Sequence, residues 1–293
     1  MTERRVLAPF GRRRLEIVTA GAVGSYRLLA AADPDGPVPR PGQFYMLAAA
    51  ERWGAGEDER PWLPRAFSFL RARRGATAAG GVIGSSRAEH APEAASLPAS
   101  VRDAKGAELV LEFLLEAIGP GTERLSELRS GDGLHVLGPL GVGFSPPARG
   151  RRAVLCGGGI GVVPLAGWED ELERPTTLLG FRDAEHAPAA TLFAAPRVAT
   201  DDGSVGHHGL VTELLDREID PRTVVYACGP PPMLEAVRAL CGQRGIRAQL
   251  ALETGMACGY GACFGCAVAT RDGYVRLCLE GPVMDARRLE AVR

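Results

Sequence analysis

Apolar and polar residues alternate over short distances through the first half of the chain. Segments 14–20, 26–31, 44–49, 66–71, 109–117 and 134–137 each read as a half-buried strand. Turn chemistry separates them, as at Pro34-Asp35-Gly36 and at Ser130-Gly131-Asp132-Gly133. Several short strands at short spacing predict an antiparallel barrel. Segment 73–106 interrupts the pattern. It is rich in Ala, Gly, Ser and Pro, has weak periodicity, and reads as a surface insertion.

The period changes after the run Pro146-Pro147-Ala148-Arg149-Gly150. Strand candidates at 153–156, 176–180, 223–228 and 249–252 then alternate with helix candidates at 161–172, 210–217 and 231–244. That alternation predicts a parallel sheet covered on both faces. From about residue 253 the chain carries cysteines and little periodic structure. The expected division is therefore 1–147, 148–252 and 253–293.

Composition adds exclusions. With 46% hydrophobic and 24% charged residues the chain can build an ordinary core. A formal net charge of −1 offers no broad basic face, so no nucleic-acid partner is expected. No apolar run is long enough to cross a membrane, and MTERRVLAPFGRRR has no apolar leader region. A cytoplasmic location is expected, and in a reducing compartment clustered cysteines point to metal rather than disulfides.

Four of the seven cysteines form such a cluster. Cys258, Cys263, Cys266 and Cys278 are spaced C-x4-C-x2-C-x11-C. The spacing of the first three cysteines matches plant-type [2Fe–2S] sites. Gly259 and Gly261 allow a tight loop whose amides turn toward sulfur. The fourth thiolate is expected from a hairpin turning at Arg271-Asp272-Gly273. Zinc and plain buried thiols are the competing readings, but zinc ribbons prefer two C-x2-C knuckles and only one is present. Cys156 and Cys241 read as small buried hydrophobes.

Two loops suggest a nucleotide crevice. Gly157, Gly158 and Gly159 follow a strand and open a helix, where free amides favour a pyrophosphate. Cys228, Gly229 and Pro230 end another strand, and the prolines that follow suit a first helical turn. Loops at the C-terminal ends of neighbouring parallel strands line one crevice. In the barrel, Arg65-Ala66-Phe67-Ser68 should alternate faces, with Arg65 and Phe67 on one side. Gly119-Pro120-Gly121-Thr122 should precede a helix at 123–128. No His/Asp or paired-carboxylate constellation is visible. His207 and His208 read as loop residues, and Glu253 as either a crevice residue or a surface one.

The ordered motifs RAFS, GPGT, GPLGVGF, GGGIGVVPL, CGPPPML and ETGMACGYGACFGC with CLEGPV resemble the ferredoxin–NADP reductase superfamily. Within it they are most similar to electron-transfer subunits of class B dihydroorotate dehydrogenases. The resemblance covers almost the whole chain. It implies an FAD-binding barrel (1–147), an NAD-binding α/β domain (148–252) and a [2Fe–2S] domain (253–293). It places FAD against Arg65, Ala66, Phe67 and Ser68, against Leu114, Leu115 and Glu116, and against Gly121 and Thr122. It places NAD at residues 157–159 and 228–230, and the cluster on the four cysteines. The family usually has proline at position 66, Tyr-Arg near 115–116 and asparagine at 142, where this chain has Ala66, Leu115-Glu116 and Val142. The implied role is to pass electrons from a catalytic flavoprotein partner, in a heterotetramer, through the cluster and FAD to NAD⁺ in pyrimidine biosynthesis. The alternatives are an NAD(P)H-oxidising subunit of sulfite reductase, hydrogenase or transhydrogenase, and a non-enzymatic iron–sulfur redox sensor.

Overall fold

The structure, a computed structural model, describes residues 11–53, 63–74, 109–290 and 292. The expected insertion at 73–106 lies outside the described residues, apart from Arg73 and Arg74. The first sheet has seven strands: β1 (Arg12–Val23), β2 (Tyr26–Ala32), β3 (Phe44–Ala49), β4 (Arg65–Ser68), β5 (Arg71–Arg73), β6 (Val110–Leu115) and β7 (Gly133–Leu140). Their order is β4-β3-β7-β1-β2-β6-β5, and every pairing is antiparallel. Strands β4 and β5 sit at opposite edges, yet only Phe69 and Leu70 separate them. The sheet must therefore curl until its edges meet, which is the expected barrel. The single strand expected at 66–71 is in fact two. Its first half pairs with β3 and its second with β6, so the break between them is where the barrel closes.

Inside the barrel, Leu15, Ile17, Tyr45, Leu47, Leu111, Phe113 and Val136 form one buried core. Helix α1 (Pro120–Ser126) covers one end. It starts at Pro120 rather than Glu123, because proline fits a first helical turn where its missing N–H costs nothing.

The second sheet contains β8 (Arg152–Gly158), β9 (Thr176–Phe181), β10 (Arg197–Thr200), β11 (His207–His208), β12 (Thr223–Cys228), β13 (Arg247–Ala251) and β16 (Val283–Asp285). The order is β11-β10-β9-β8-β12-β13-β16, parallel except for β16. Helices α2 (Val163–Glu171), α3 (Val211–Glu218) and α4 (Pro231–Gln243) connect its strands. Helix α2 is shorter than expected because a 3₁₀ turn (Gly159–Val162) absorbs the glycine loop. The sequence reading did not anticipate β10, β11 or β16. The first two are short, and β16 reaches the sheet from the C-terminal segment. That segment also holds the hairpin β14 (Ala267–Thr270) and β15 (Gly273–Arg276), and then α5 (Leu277–Glu280).

One core joins the two sheets. Tyr26, Leu28, Leu114 and Phe144 from the barrel side pack with Leu155, Trp168 and Tyr226. Phe144 stacks on Trp168 at 5.7 Å, and both meet Tyr226 edge-on. Each such aromatic pair adds about 0.5–1.5 kcal/mol beyond its burial. Arg71 of β5 crosses the same junction, donating to Asp170 at 2.6 Å and to the Leu192 carbonyl at 2.9 Å.

Candidate functional site

The sheet order creates a crevice. From β8 the chain leaves on one side toward β9 and later returns on the other as β12, so the loops after β8 and β12 diverge. Gly157 and Cys228 are direct Cα partners at the ends of those strands. A Cβ on Gly161 would lie 2.5 Å from the Gly229 backbone, and one on Gly158 would lie 2.5 Å from Met233 Sδ. The glycines are therefore needed for the two loops to touch. The structure brings Gly157, Gly158, Gly159, Cys228, Gly229 and Pro230 to one edge. Cys228 is buried and its Sγ lies 4.0 Å from Glu253 Oε1. Burial, with the Glu253 charge beside it, pushes the Cys228 thiol well up, so it stays protonated.

On the barrel, Phe67 turns inward onto the barrel core. Ala66 and Ser68 are the Cα partners of Met46 and Phe44. Arg65 lies over the first turn of α1, where a Cβ on Gly121 would come 2.6 Å from Arg65 Nε. Arg65 and Gly121 are thus adjacent. The Thr122 hydroxyl accepts from the Ile118 and Gly119 amides at 2.9 and 3.1 Å, so it builds the turn. Leu114 and Leu115 are buried at 1% and 0% exposure, and only their backbone can meet a ligand.

Glu116 takes a different course. Its Oε1 lies 3.4 Å from Nε2 of His186, across the junction between the sheets. His186 Nδ1 is 2.6 Å from Asp183 Oδ1, and Arg182 reaches Nε2 at 2.8 Å. With Nδ1–H donating to Asp183, Nε2 is left to accept from Arg182. The hydrogen bond from His186, with that from Arg182, holds the Asp183 carboxyl down at about 2. His186 was not singled out from sequence. The Asp-x-x-His spacing of Asp183 and His186 was its signal. His207, by contrast, bonds Glu213 at 2.8 Å beside the crevice-free edge strand β11.

The four clustered thiols form two pairs. Cys266 and Cys278 are buried, with Sγ atoms 3.2 Å apart. Cys258 is half-buried and accepts from the Cys263 amide at 3.4 Å, while Cys263 is exposed and accepts from the Gly265 amide at 3.4 Å. Gly259 and Gly261 have φ of +76° and +88°, which turns the loop's amides toward sulfur. Burial alone would raise the Cys258 thiol, but the amides of Cys263, Tyr260 and Ala262 outweigh it and bring it to about 7. Among the described residues no three His, Cys, Asp or Glu side chains close around a single ion. Two thiol pairs with inward amides suit a binuclear iron–sulfur cluster, one pair to each iron, better than a lone tetrahedral ion. Cys278 arrives on α5, two residues beyond the hairpin from which it was expected. Arg276 fastens this region by donating to the Gly261 carbonyl at 2.8 Å and lying 4.7 Å over the Phe264 ring.

The cluster segment is seated on both sheets. The Val142 amide bonds the Gly281 carbonyl at 2.5 Å, and Val142 bridges to Pro282. Strand β16 then completes the second sheet. Cys156 and Cys241 take no part. Burial pushes both up to about 12.

Comparison with known proteins agrees with this geometry. The iron–sulfur cluster binding domain of dihydroorotate dehydrogenase B matches residues 253–290. The electron transfer subunit of dihydroorotate dehydrogenase B (NAD(+)) from Caldanaerobacter subterraneus subsp. tengcongensis is 36% identical over 199 residues, 66% of this chain and 79% of the relative. The Bacillus caldolyticus subunit of the same name is 41% identical over 181 residues, 57% of this chain and 69% of the relative. Among solved structures, an NADH-dependent reduced ferredoxin–NADP oxidoreductase superposes with a TM-score of 0.69 at 21% identity, covering 94% of this chain and 90% of the other. Phthalate dioxygenase reductase superposes with a TM-score of 0.54 at 15% identity, covering 97% of each chain. These two likenesses establish the ferredoxin-reductase-like fold, and the sequence relatives establish kinship: the chain belongs to the family of dihydroorotate dehydrogenase B electron transfer subunits.

Proposed function

We propose that this chain is an electron conduit to NAD⁺. A [2Fe–2S] cluster sits on Cys258, Cys263, Cys266 and Cys278. FAD lies on the barrel at residues 65–68, 114–116 and 121–122, and NAD⁺ lies in the crevice at 157–159 and 228–230. The electrons come from a catalytic flavoprotein subunit that oxidises dihydroorotate to orotate, the activity in the relatives' name. When bound, such a cluster moves single electrons, a flavin collects two, and nicotinamide takes them as a hydride. The units 1–147, 148–252 and 253–293 divide this work.

The observation that carries the reading is the seat of the thiol loop. A Cβ on Gly259 would lie 2.5 Å from Met46 Cγ, and Met46 is the Cα partner of Ala66. The thiol loop and the strand bearing Arg65 and Ser68 are therefore neighbours. Arg65 supplies a guanidinium for a pyrophosphate, in place of the arginine that Glu116 cannot be. Glu116 instead turns toward His186, with its Oε1 3.4 Å from Nε2 across the junction. The glycine loops offer backbone amides to the dinucleotide without side chains in the way. Hydride transfer between flavin and nicotinamide needs no acid or base, so the chain needs no catalytic triad or carboxylate pair.

The partner meets the cluster segment. Tyr260 and Phe264 of the thiol loop and Tyr274 of the hairpin are 40%, 63% and 81% exposed, and Cys263 is exposed too. Aromatic residues gathered at the surface suit a protein contact. Two subunit types assemble as a heterotetramer in the cytoplasm. No helix among the described residues is long and apolar enough to cross a membrane.

Purification from the native source tests this reading. The protein should carry iron, release FAD on denaturation and bring a flavoprotein with it. Iron without flavin would make it a cluster-carrying sensor instead. Copurification with a sulfite reductase or hydrogenase would assign a different partner.

A further inference from the structure

Met46 sits where three parts of the molecule meet. Its Cα pairs with Ala66 of β4 on one side and with Leu137 of β7 on the other. Its sequence neighbours Tyr45 and Leu47 fill the barrel, whereas Met46 belongs to a separate core with Cys266, Leu277 and Cys278. The side chain therefore leaves the barrel and enters the cluster segment. It is 1% exposed. A Cβ on Gly259 would come 2.5 Å from its Cγ and 2.9 Å from its Sδ, so the Gly259 backbone rests directly on the thioether. The positive φ of Gly259 makes glycine necessary there for a second, independent reason.

We propose that Met46 is a positioning residue whose thioether sets the gap between the Cys258–Cys263 loop and strand β4. This rests on the cluster and flavin assignments made above. An unbranched, polarisable side chain can fill an irregular gap between a backbone loop and a sheet without strain. Each electron passing from the thiolate-bound group to the group on β4 crosses this contact. One side is oxidised by one electron, the other is reduced by one, and no proton moves at Met46. A shorter side chain would let the loop shift and change the gap that each electron must cross.

The test uses the holoprotein. NADH is mixed rapidly with protein, and flavin bleaching is followed separately from cluster reduction. Met46→Ala should keep its iron, its FAD and the wild-type rate of flavin bleaching. Its cluster should then be reduced several-fold more slowly, while Met46→Leu, of similar volume, matches wild type. Equal cluster-reduction rates in Met46→Ala and wild type would overturn the proposal. So would a Met46→Leu as slow as Met46→Ala, since spacing would then not be the cause. If Met46→Ala fails to retain iron, carbon-13 methyl spectra of the wild-type protein decide. The Met46 methyl, identified by its absence from Met46→Leu, should broaden when the cluster is reduced to its paramagnetic state, and an unaltered line would refute the contact. A wild-type protein without iron, FAD or NADH-driven cluster reduction would instead sink the functional reading on which this inference rests.

Discussion

Cys263 is exposed while Cys266 and Cys278 are buried, so the thiols differ in what their loss should do. Cys263→Ser leaves the buried core intact. It is expected to abolish cluster binding and partner-to-flavin transfer, while NADH oxidation by an artificial dye at the flavin largely survives. Parallel loss of both activities, measured side by side, would make the cluster structural. Arg65 permits a similar separation. Removing its charge-assisted contacts by Arg65→Ala should weaken FAD binding by about 2 kcal/mol, roughly thirtyfold in Kd. Fluorescence titration of FAD into the apoprotein checks this. What tight spacing made legible in the sequence was the grouping of the cysteines, which the structure brings into two thiol pairs. Glu116 and His186 were not legible as a pair, because 70 residues of chain separate partners that meet only across the folded junction.

At the scale of elements, local signals did well and non-local ones did not. The strand–helix alternation after residue 150 was readable where a strand carries a continuous apolar run, as in Thr223–Cys228. The split between β4 and β5 was hidden, because the apolar pattern runs on through Phe69 and Leu70 while the hydrogen-bond partner changes. Strand β16 has three residues and gains its identity only by pairing with β13. Two predictions belong here. Gly161→Ala would drive a methyl against the Gly229 backbone and spread the crevice. NADH binding should weaken at least about tenfold, with iron and FAD content unchanged, as titration calorimetry would read. The second concerns α4. Its Glu235 accepts from Arg238 at 2.6 Å and from the Val292 amide at 2.9 Å, tethering the C-terminal end. The bond from Arg238 holds the Glu235 carboxyl at about 2, against an ordinary 4.5. A depressed folded value means the tether contributes fully above pH 4.5 and is lost as pH falls toward about 2. Hydrogen exchange at Val292 should therefore accelerate beyond its intrinsic pH trend over that window, and Glu235→Gln should remove the effect.

For the whole molecule, the junction between the sheets is a packed core rather than a hinge. The Phe144, Trp168 and Tyr226 cluster and the Arg71–Asp170 pair hold barrel and nucleotide sheet together, and the cluster segment grips both. The packing places the three proposed cofactor sites on elements that share one core, as a conduit requires. A near-neutral chain suits the proposed sites, where Arg65 and the loop amides would hold small anionic cofactors locally, without a broad basic surface. The central claim is that electrons taken from dihydroorotate by a partner reach NAD⁺ through this chain. The most direct measurement mixes the holoprotein with the catalytic flavoprotein subunit, dihydroorotate and NAD⁺, and follows NADH formation. The account predicts NADH only when both proteins are present, with none from the Cys263→Ser variant. NAD⁺ that stays oxidised in the complete mixture, while sulfite or another acceptor turns over with NADH, would contradict it.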